Sequence, residues 1–269
     1  MKKMNEKQLK YRVIEKLTGF LNYDKPSKQN MIGSPEVNKV IRMIFSPVLR
    51  ENGFSSFLTR NNWGWHEHSI WVLNINSVGN YFSQVTGWPP MSIVVNLGVY
   101  YDFIPEEFPE HIENRIKKNK VGRLIPKEYE CHARASLLCT LDQSNLKKNL
   151  SNPAETKRRD IWWVKPDGSN VEEVVTNIKD SFLNGNVTSF GPYNEDISLS
   201  GVEWFRKLSD LEYVFNAFED RQDYYKAAFF AKHFGCKDKL KEYGENFLEE
   251  AKKIGGHDLK IIQKELNEK

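Results

Sequence analysis

Residues 91–103 constrain the fold of this chain more than any other stretch. Met91, Ile93, Val95, Leu97, Val99, Tyr101 and Phe103 alternate with Ser92, Val94, Asn96, Gly98, Tyr100 and Asp102. Successive side chains of a strand point to opposite faces, so the alternation predicts a strand with its first set in a core. Such a strand needs neighbours to pair with and a layer to cover it. The rest of the sequence offers both.

Strand character recurs on either side. Residues 54–60 read as a short strand, turned by Asn61-Asn62-Trp63-Gly64 into a longer one over 65–77. There Trp71, Leu73 and Ile75 share one face, and His66, His68, Ile70, Val72, Asn74 and Asn76 the other. Over 131–140, Ala133, Ala135, Leu137 and Cys139 oppose His132, Arg134, Ser136 and Leu138. Residues 159–164, with Trp162 and Trp163, read as one more short strand. Residues 79–90 read as a loop, and 104–129 as a long polar connection with a helical piece around 106–118.

Helical spacing appears at both ends. Leu9, Val13, Leu17 and Phe20 mark an amphipathic helix over residues 5–22, followed by a linker. Ser34 suits an N-cap, Pro35 the first turn and Glu36 the positive helix end; Val37, Val40, Ile41, Ile44, Phe45 and Val48 form the buried stripe. Pro47 is expected to interrupt this helix and Gly53 to end it. Ser169-Asn-Val-Glu172 fits a capping box ahead of Val171, Val174, Val175, Ile178 and Phe182. A further helix is expected over 195–208, and everything beyond Asp210 reads helical.

Segregated strands and helices argue for an α+β fold. The expected architecture is an antiparallel sheet of four to five strands flanked by helices, with a C-terminal helical hairpin or small bundle. The chain divides into an N-terminal helix and linker (1–30), an α+β domain (31–208) and a C-terminal helical region (209–269).

Composition excludes several classes. A net charge of +3 is too small to argue for nucleic acid or a membrane by itself. Three cysteines without CxxC spacing speak against a disulfide framework or a zinc ribbon. No stretch has the apolar length of a membrane span, so a cytoplasmic protein with no membrane contact is expected.

The order of a helix, Gly53-Phe54, an aromatic strand pair and Ile93-Val-Val-Asn-Leu-Gly98 resembles a bacterial family known as domain of unknown function 4304. Arg134 in the strand after a long insert, and the Trp162-Trp163 pair ahead of a helix, fit the same pattern. The resemblance covers about residues 37–208. It implies a bacterial intracellular protein among small interaction or defence-associated proteins, and it confers no reaction.

Four sets of residues are candidates for function. His66 and His68, on one face of a strand, can share a metal, but a third ligand at a recognisable spacing is missing unless Cys131-His132 supplies it. Arg134 with Asn74, Asn76 and Asn96 can share one sheet face, where Arg would hold a carboxylate or phosphate and the amides complete a polar pocket. Arg115, Lys117, Lys118, Lys120 and Arg123, then Lys147-Lys148 and Lys157-Arg158-Arg159, form basic loops near the stacking surfaces of Trp162 and Trp163. Trp63 and Trp88, in turn and loop positions, are expected to be exposed and to mark an interface. No nucleophile motif, P-loop or dinucleotide fingerprint is present, and no cofactor is expected. The leading expectation is a non-enzymatic protein-interaction domain, an immunity or defence component with a protein partner. The alternatives are a nucleic-acid binder using the basic loops and Trp162/Trp163, and a small-ligand or metal-dependent enzyme using His66, His68 and Arg134.

Overall fold

A computed structural model describes residues 31–105, 116–148, 150, 152–189, 196–254 and 259–267. The helix expected over residues 5–22 lies outside these residues, as does most of the helical piece expected around 106–118.

Helix α1 (Ser34–Ile44) carries Pro35 in its first turn, where the missing N–H is not needed. Its N-cap is Gly33, not Ser34, and the Glu36 carboxylate accepts from the Gly33 N–H at 3.2 Å. Pro47 divides the predicted helix as expected, and a second short helix, α2 (Ser46–Glu51), begins around it. Gly53 then takes a left-handed φ of 93°, which turns the chain into the sheet.

The sheet contains β1 (Ser56–Phe57), β2 (Asn61–Trp65), β3 (Ser69–Ser77), β4 (Ile93–Tyr101), β5 (Ala133–Leu137), β6 (Ile161–Trp162), β7 (Val187–Ser189) and β8 (Asp196–Ile197). Every pairing is antiparallel, in the order β1-β2-β3-β4-β5-β7-β8. The strands expected in 65–77, 91–103 and 131–140 form its centre as β3, β4 and β5. Asn61–Trp65, expected to begin as a turn, is instead strand β2, and the turn into β3 falls at residues 66–68. Strands β7 and β8 are additions of two or three residues at the margin. Strand β4 is the hub. Strand β3 pairs along its full length on one side, while β5 takes Asn96–Val99 and β6 takes Ile93 and Val94 on the other.

One face of the sheet holds the main core. The register sets Trp71 against Val99, Leu73 against Leu97 and Ile75 against Val95. Helix α1 and helix α6 (Val171–Asn184) cover this face with Val37, Ile41, Phe45, Val174, Ile178 and Phe182, all fully buried. The rings of Phe45 and Phe182 meet edge to face at 5.5 Å. The start of α6 differs from expectation. Its N-cap is Asn170, whose side chain accepts from the Lys165 N–H and donates to the Trp163 carbonyl, both at 2.8 Å, so no Ser169 capping box forms.

The remaining helices are α7 (Gly201–Lys207), α8 (Leu211–Asp220), α9 (Tyr224–His233), α10 (Lys237–Ile254) and α11 (Leu259–Asn267). Residues 196 and 197, expected to start a helix, pair as β8 instead. The capping box that opens α7 is Ser200 with Glu203: the hydroxyl accepts from the Glu203 N–H at 3.2 Å and the carboxylate from the Ser200 N–H at 2.8 Å. The C-terminal helices share the main core. Tyr101 donates to the Leu208 carbonyl at 2.9 Å, the Trp71 indole to the Ser209 hydroxyl at 2.9 Å, and Tyr225 to the Pro105 carbonyl at 2.9 Å.

The second face is covered in two patches. Residues 116–131 lie over Trp63, Ile70, Val72 and Tyr100. Three short helices, α3 (Asn80–Thr86), α4 (Ser144–Lys147) and α5 (Pro153–Lys157), lie near the other end, where Val78, Trp88, Leu150 and Ile161 pack together. Among the described residues, no helix is long and apolar enough to cross a membrane.

Candidate ligand cleft

The His66/His68 expectation fails on local geometry. Trp65 and Ile70 form the last rung of the β2–β3 ladder, so residues 66–68 are a turn and the period of two does not cross it. The His66 ring packs 4.0 Å from Trp71, whereas His68 meets His233 of α9 at 4.7 Å. His132 is half-buried and its Nδ1 accepts from the Tyr101 N–H at 2.9 Å; desolvation, with nearby Lys226 adding to it, pushes its pKa down to about 3. Among the described residues, no three metal-ligating side chains converge.

The polar sheet face is present. Cross-strand pairing aligns Asn61, Asn74, Asn96, Ser136 and Thr188 in one row, with Asn76 and Arg134 on the same face. Its groups satisfy one another: Asn74 donates to the Asn61 side chain at 2.7 Å, and Ser136 to the Asn96 side chain at 2.9 Å. Asn96, Ser136 and Thr188 are buried, while Asn61 and Asn74 are half-buried and Asn76 is exposed, so the row is closed on the β4–β5–β7 side and reaches solvent on the β2–β3 side.

The exposed-tryptophan expectation is corrected. Trp63, Trp88 and Trp162 are all buried, because each indole N–H has an internal acceptor. Trp63 donates to the Pro126 carbonyl at 2.8 Å, Trp88 to Glu155 at 2.8 Å and Trp162 to Asn177 at 2.8 Å. Sequence reasoning underestimated how far the 116–131 segment and the short helices reach over the second face. The basic loops are also partly consumed internally. Arg158 pairs with Asp160 through two bonds of 2.6 and 2.9 Å, and buried Lys147 donates to the Arg158 carbonyl at 2.5 Å. Of the expected stacking pair, Trp162 is buried and unavailable to a nucleic acid, while Trp163 is half-buried with its ring 5.5 Å from that of Trp88.

Of the expected site residues, Arg134 lines a cleft, and His132, the suggested third metal ligand, borders it too. The cleft has a volume of about 310 Å³ and lies between β5, β8, α7 and α8. Strand β7 pairs with β5 only over Ala135–Leu137, so residues 132–134 border the cleft from a stretch of β5 that β7 does not cover. Ala133, Ile197, Leu199, Leu208 and Val214 give it apolar surface, and Trp204 and Phe218 add aromatic surface. Three cations also line it: Arg134, Lys207 and Arg221. Arg134 is held by buried Glu128 at 2.6 Å. Lys207 sits 4.5 Å over the Tyr213 ring, a cation–π contact, and Arg221 follows the last residue of α8, where a cation complements the helix dipole. Lys207, Tyr213 and Arg221 are exposed, and no carboxylate among the described residues lines the cleft.

Sequence reasoning missed Lys207, Tyr213 and Arg221. The available signal was the spacing of Tyr213, Val214, Ala217, Phe218 and Arg221, which places one helical face of α8 along the wall. That signal was absorbed into the general expectation of core packing.

The family described as domain of unknown function (DUF4304) matches residues 45–207. Neither the curated proteins nor the solved structures contain a match.

Proposed function

The chain belongs to the DUF4304 family, and on that premise we propose that it is a non-enzymatic interaction protein that holds an acidic surface of a partner protein in the cleft between β5, α7 and α8. The observation that carries this reading is the pairing of an apolar, aromatic-walled hollow with Lys207 and Arg221, two exposed cations that make no ion pair among the described residues. Clefts of about 300–1,000 Å³ with a few convergent polar groups are the usual form of a binding site. A cationic rim speeds encounter with an acidic partner and rejects basic ones, while the half-buried apolar floor supplies most of the affinity. The aliphatic floor of Ala133, Ile197, Leu199 and Leu208 and the presence of only three cations suit an amino-acid side chain better than a run of nucleotides, which calls for a longer cationic track.

The test is affinity capture of the full chain at low and high salt, with the captured protein then purified and its affinity measured directly. The Lys207→Glu/Arg221→Glu double variant is expected to lose at least about tenfold in affinity, mostly as slower association. Lys241→Glu, an exposed reversal on α10, is the control and should bind as the unaltered protein does. Equal binding by both variants would move the interface elsewhere.

A further inference from the structure

We infer that the partner presents an extended segment with one branched aliphatic or aromatic side chain between two carboxylates, in the spacing acid–x–anchor–x–acid. This rests on the protein-binding reading above and specifies its ligand.

The spacing comes from α8. Tyr213, Val214, Ala217, Phe218 and Arg221 lie along one face of that helix and all border the cleft. Lys207 is held over the ring of Tyr213, at the start of this face, and Arg221 stands at its end. From Tyr213 to Arg221 the helix rises about 12 Å, at about 1.5 Å per residue. These two cations, neither in an ion pair among the described residues, therefore mark the ends of the groove, and apolar Val214, Ala217 and Phe218 lie between them. An extended peptide advances about 3.3 Å per residue, so about four residues span the same distance. Its side chains also alternate faces. Positions one, three and five thus point the same way, two carboxylates toward the cations and the central residue toward the apolar floor.

The size of the hollow selects the central residue. A volume of about 310 Å³ is at the small end of ligand sites, enough for one or two side chains but not for a helix. The floor of Ala133, Ile197, Leu199 and Leu208 offers apolar contact, and the Nδ1 of neighbouring His132 is already taken by the Tyr101 N–H, so a polar residue seated there would lose hydration with little to replace it. Arg134 does not compete for the carboxylates, because Glu128 already occupies it at 2.6 Å.

Fluorescence polarisation with labelled peptides tests this on the full chain. The probe is a Glu-Ser-Leu-Ser-Glu core in a neutral flank. Leu-to-Ala in the peptide should weaken binding at least about tenfold, as expected for one buried aliphatic side chain. Replacing both Glu by Gln, or moving them next to each other, should each weaken it several-fold. The Lys207→Glu/Arg221→Glu variant should fail to bind this probe and should instead bind the Lys-Ser-Leu-Ser-Lys core, a reversal that a merely structural role for the two residues would not produce. If all acidic cores bind alike whatever their central residue, the anchor and spacing are wrong while the acidic-partner reading stands. If no core binds, the linear-segment inference is overturned. If a single-stranded oligonucleotide of equal charge displaces the probe and binds more tightly, the protein-binding reading itself falls.

Discussion

Acid should destabilise this protein more steeply than it does a His132→Asn variant. His132 lies half-buried against the rings of Tyr100 and Tyr101, at centroid distances of 4.5 and 5.9 Å, and its Nδ1 already accepts the Tyr101 N–H. Burial, with Lys226 adding to it, lowers its pKa from 6.5 to about 3. The folded state therefore keeps this imidazole neutral between those values while the unfolded chain takes up a proton. Stability is complete above the unfolded pKa and is lost as pH falls through that window. Down to about pH 4.5 the loss assignable to His132 is about 2.5 kcal/mol, about half of the full linkage of about 5 kcal/mol. In the variant, Asn Oδ1 can take over as acceptor for the Tyr101 N–H, but nothing titrates there. Its stability at pH 7 should be lower by about 1–3 kcal/mol, because part of the ring volume is lost. Its further loss between pH 7 and pH 4.5 should be smaller than that of the unaltered chain by about 2.5 kcal/mol. Urea unfolding at both pH values, with a shared m-value, gives this double difference, and all other histidines and carboxylates cancel in it. Parallel acid losses in the two proteins would refute the reasoning.

Three further substitutions probe the framework. A Cβ at Gly64 would lie 2.4 Å from the Gly53 carbonyl oxygen, so Gly64→Ala must displace backbone; a loss of about 2–4 kcal/mol is expected in chemical denaturation. Arg134→Ala leaves the buried Glu128 carboxylate without its 2.6 Å partner. It should lower the thermal midpoint, by an energy of about 1–3 kcal/mol given that Arg134 is itself partly exposed, and Glu128→Gln in the same background should restore part of it. Asn62 is fully buried on the apolar face opposite Leu73, and its side-chain oxygen has no partner. Asn62→Leu is therefore expected to raise stability by about 1 kcal/mol, measured by urea titration, and a loss would show that the amide is better satisfied than its geometry implies.

The centre of the fold was legible because its signals are local and periodic. Residues 91–103 announced β4 through alternation alone, and Val171, Val174, Val175, Ile178 and Phe182 announced α6 through helical spacing. The margins were not legible, since β7 and β8 are too short to display a period and exist only through their partners. The site was half legible. Arg134 could be placed by strand alternation, and so could the face it shares with Asn74 and Asn96. Lys207 and Arg221 could not, because a cleft between a sheet margin and two helices depends on tertiary packing that no window of sequence contains. Trp63 and Trp88 misled for a related reason: a tryptophan in a turn reads as exposed until the distant segment that covers it is known.

The row of Asn61, Asn74, Asn96, Ser136 and Thr188 has a consequence for how the chain finds its structure. A strand that slips by one residue turns every side chain to the opposite face. For β4, a slip would drive Asn96 into the main core and turn Leu97 and Val99 toward the second face. Each polar group so stranded would cost about 1–3 kcal/mol, and the matching amides on the neighbouring strands would lose their partners too. Misaligned sheets are thus penalised several times over, at every strand the row crosses. The row acts as a key that fits one alignment, a safeguard for a sheet whose outer strands are too short to hold register on their own.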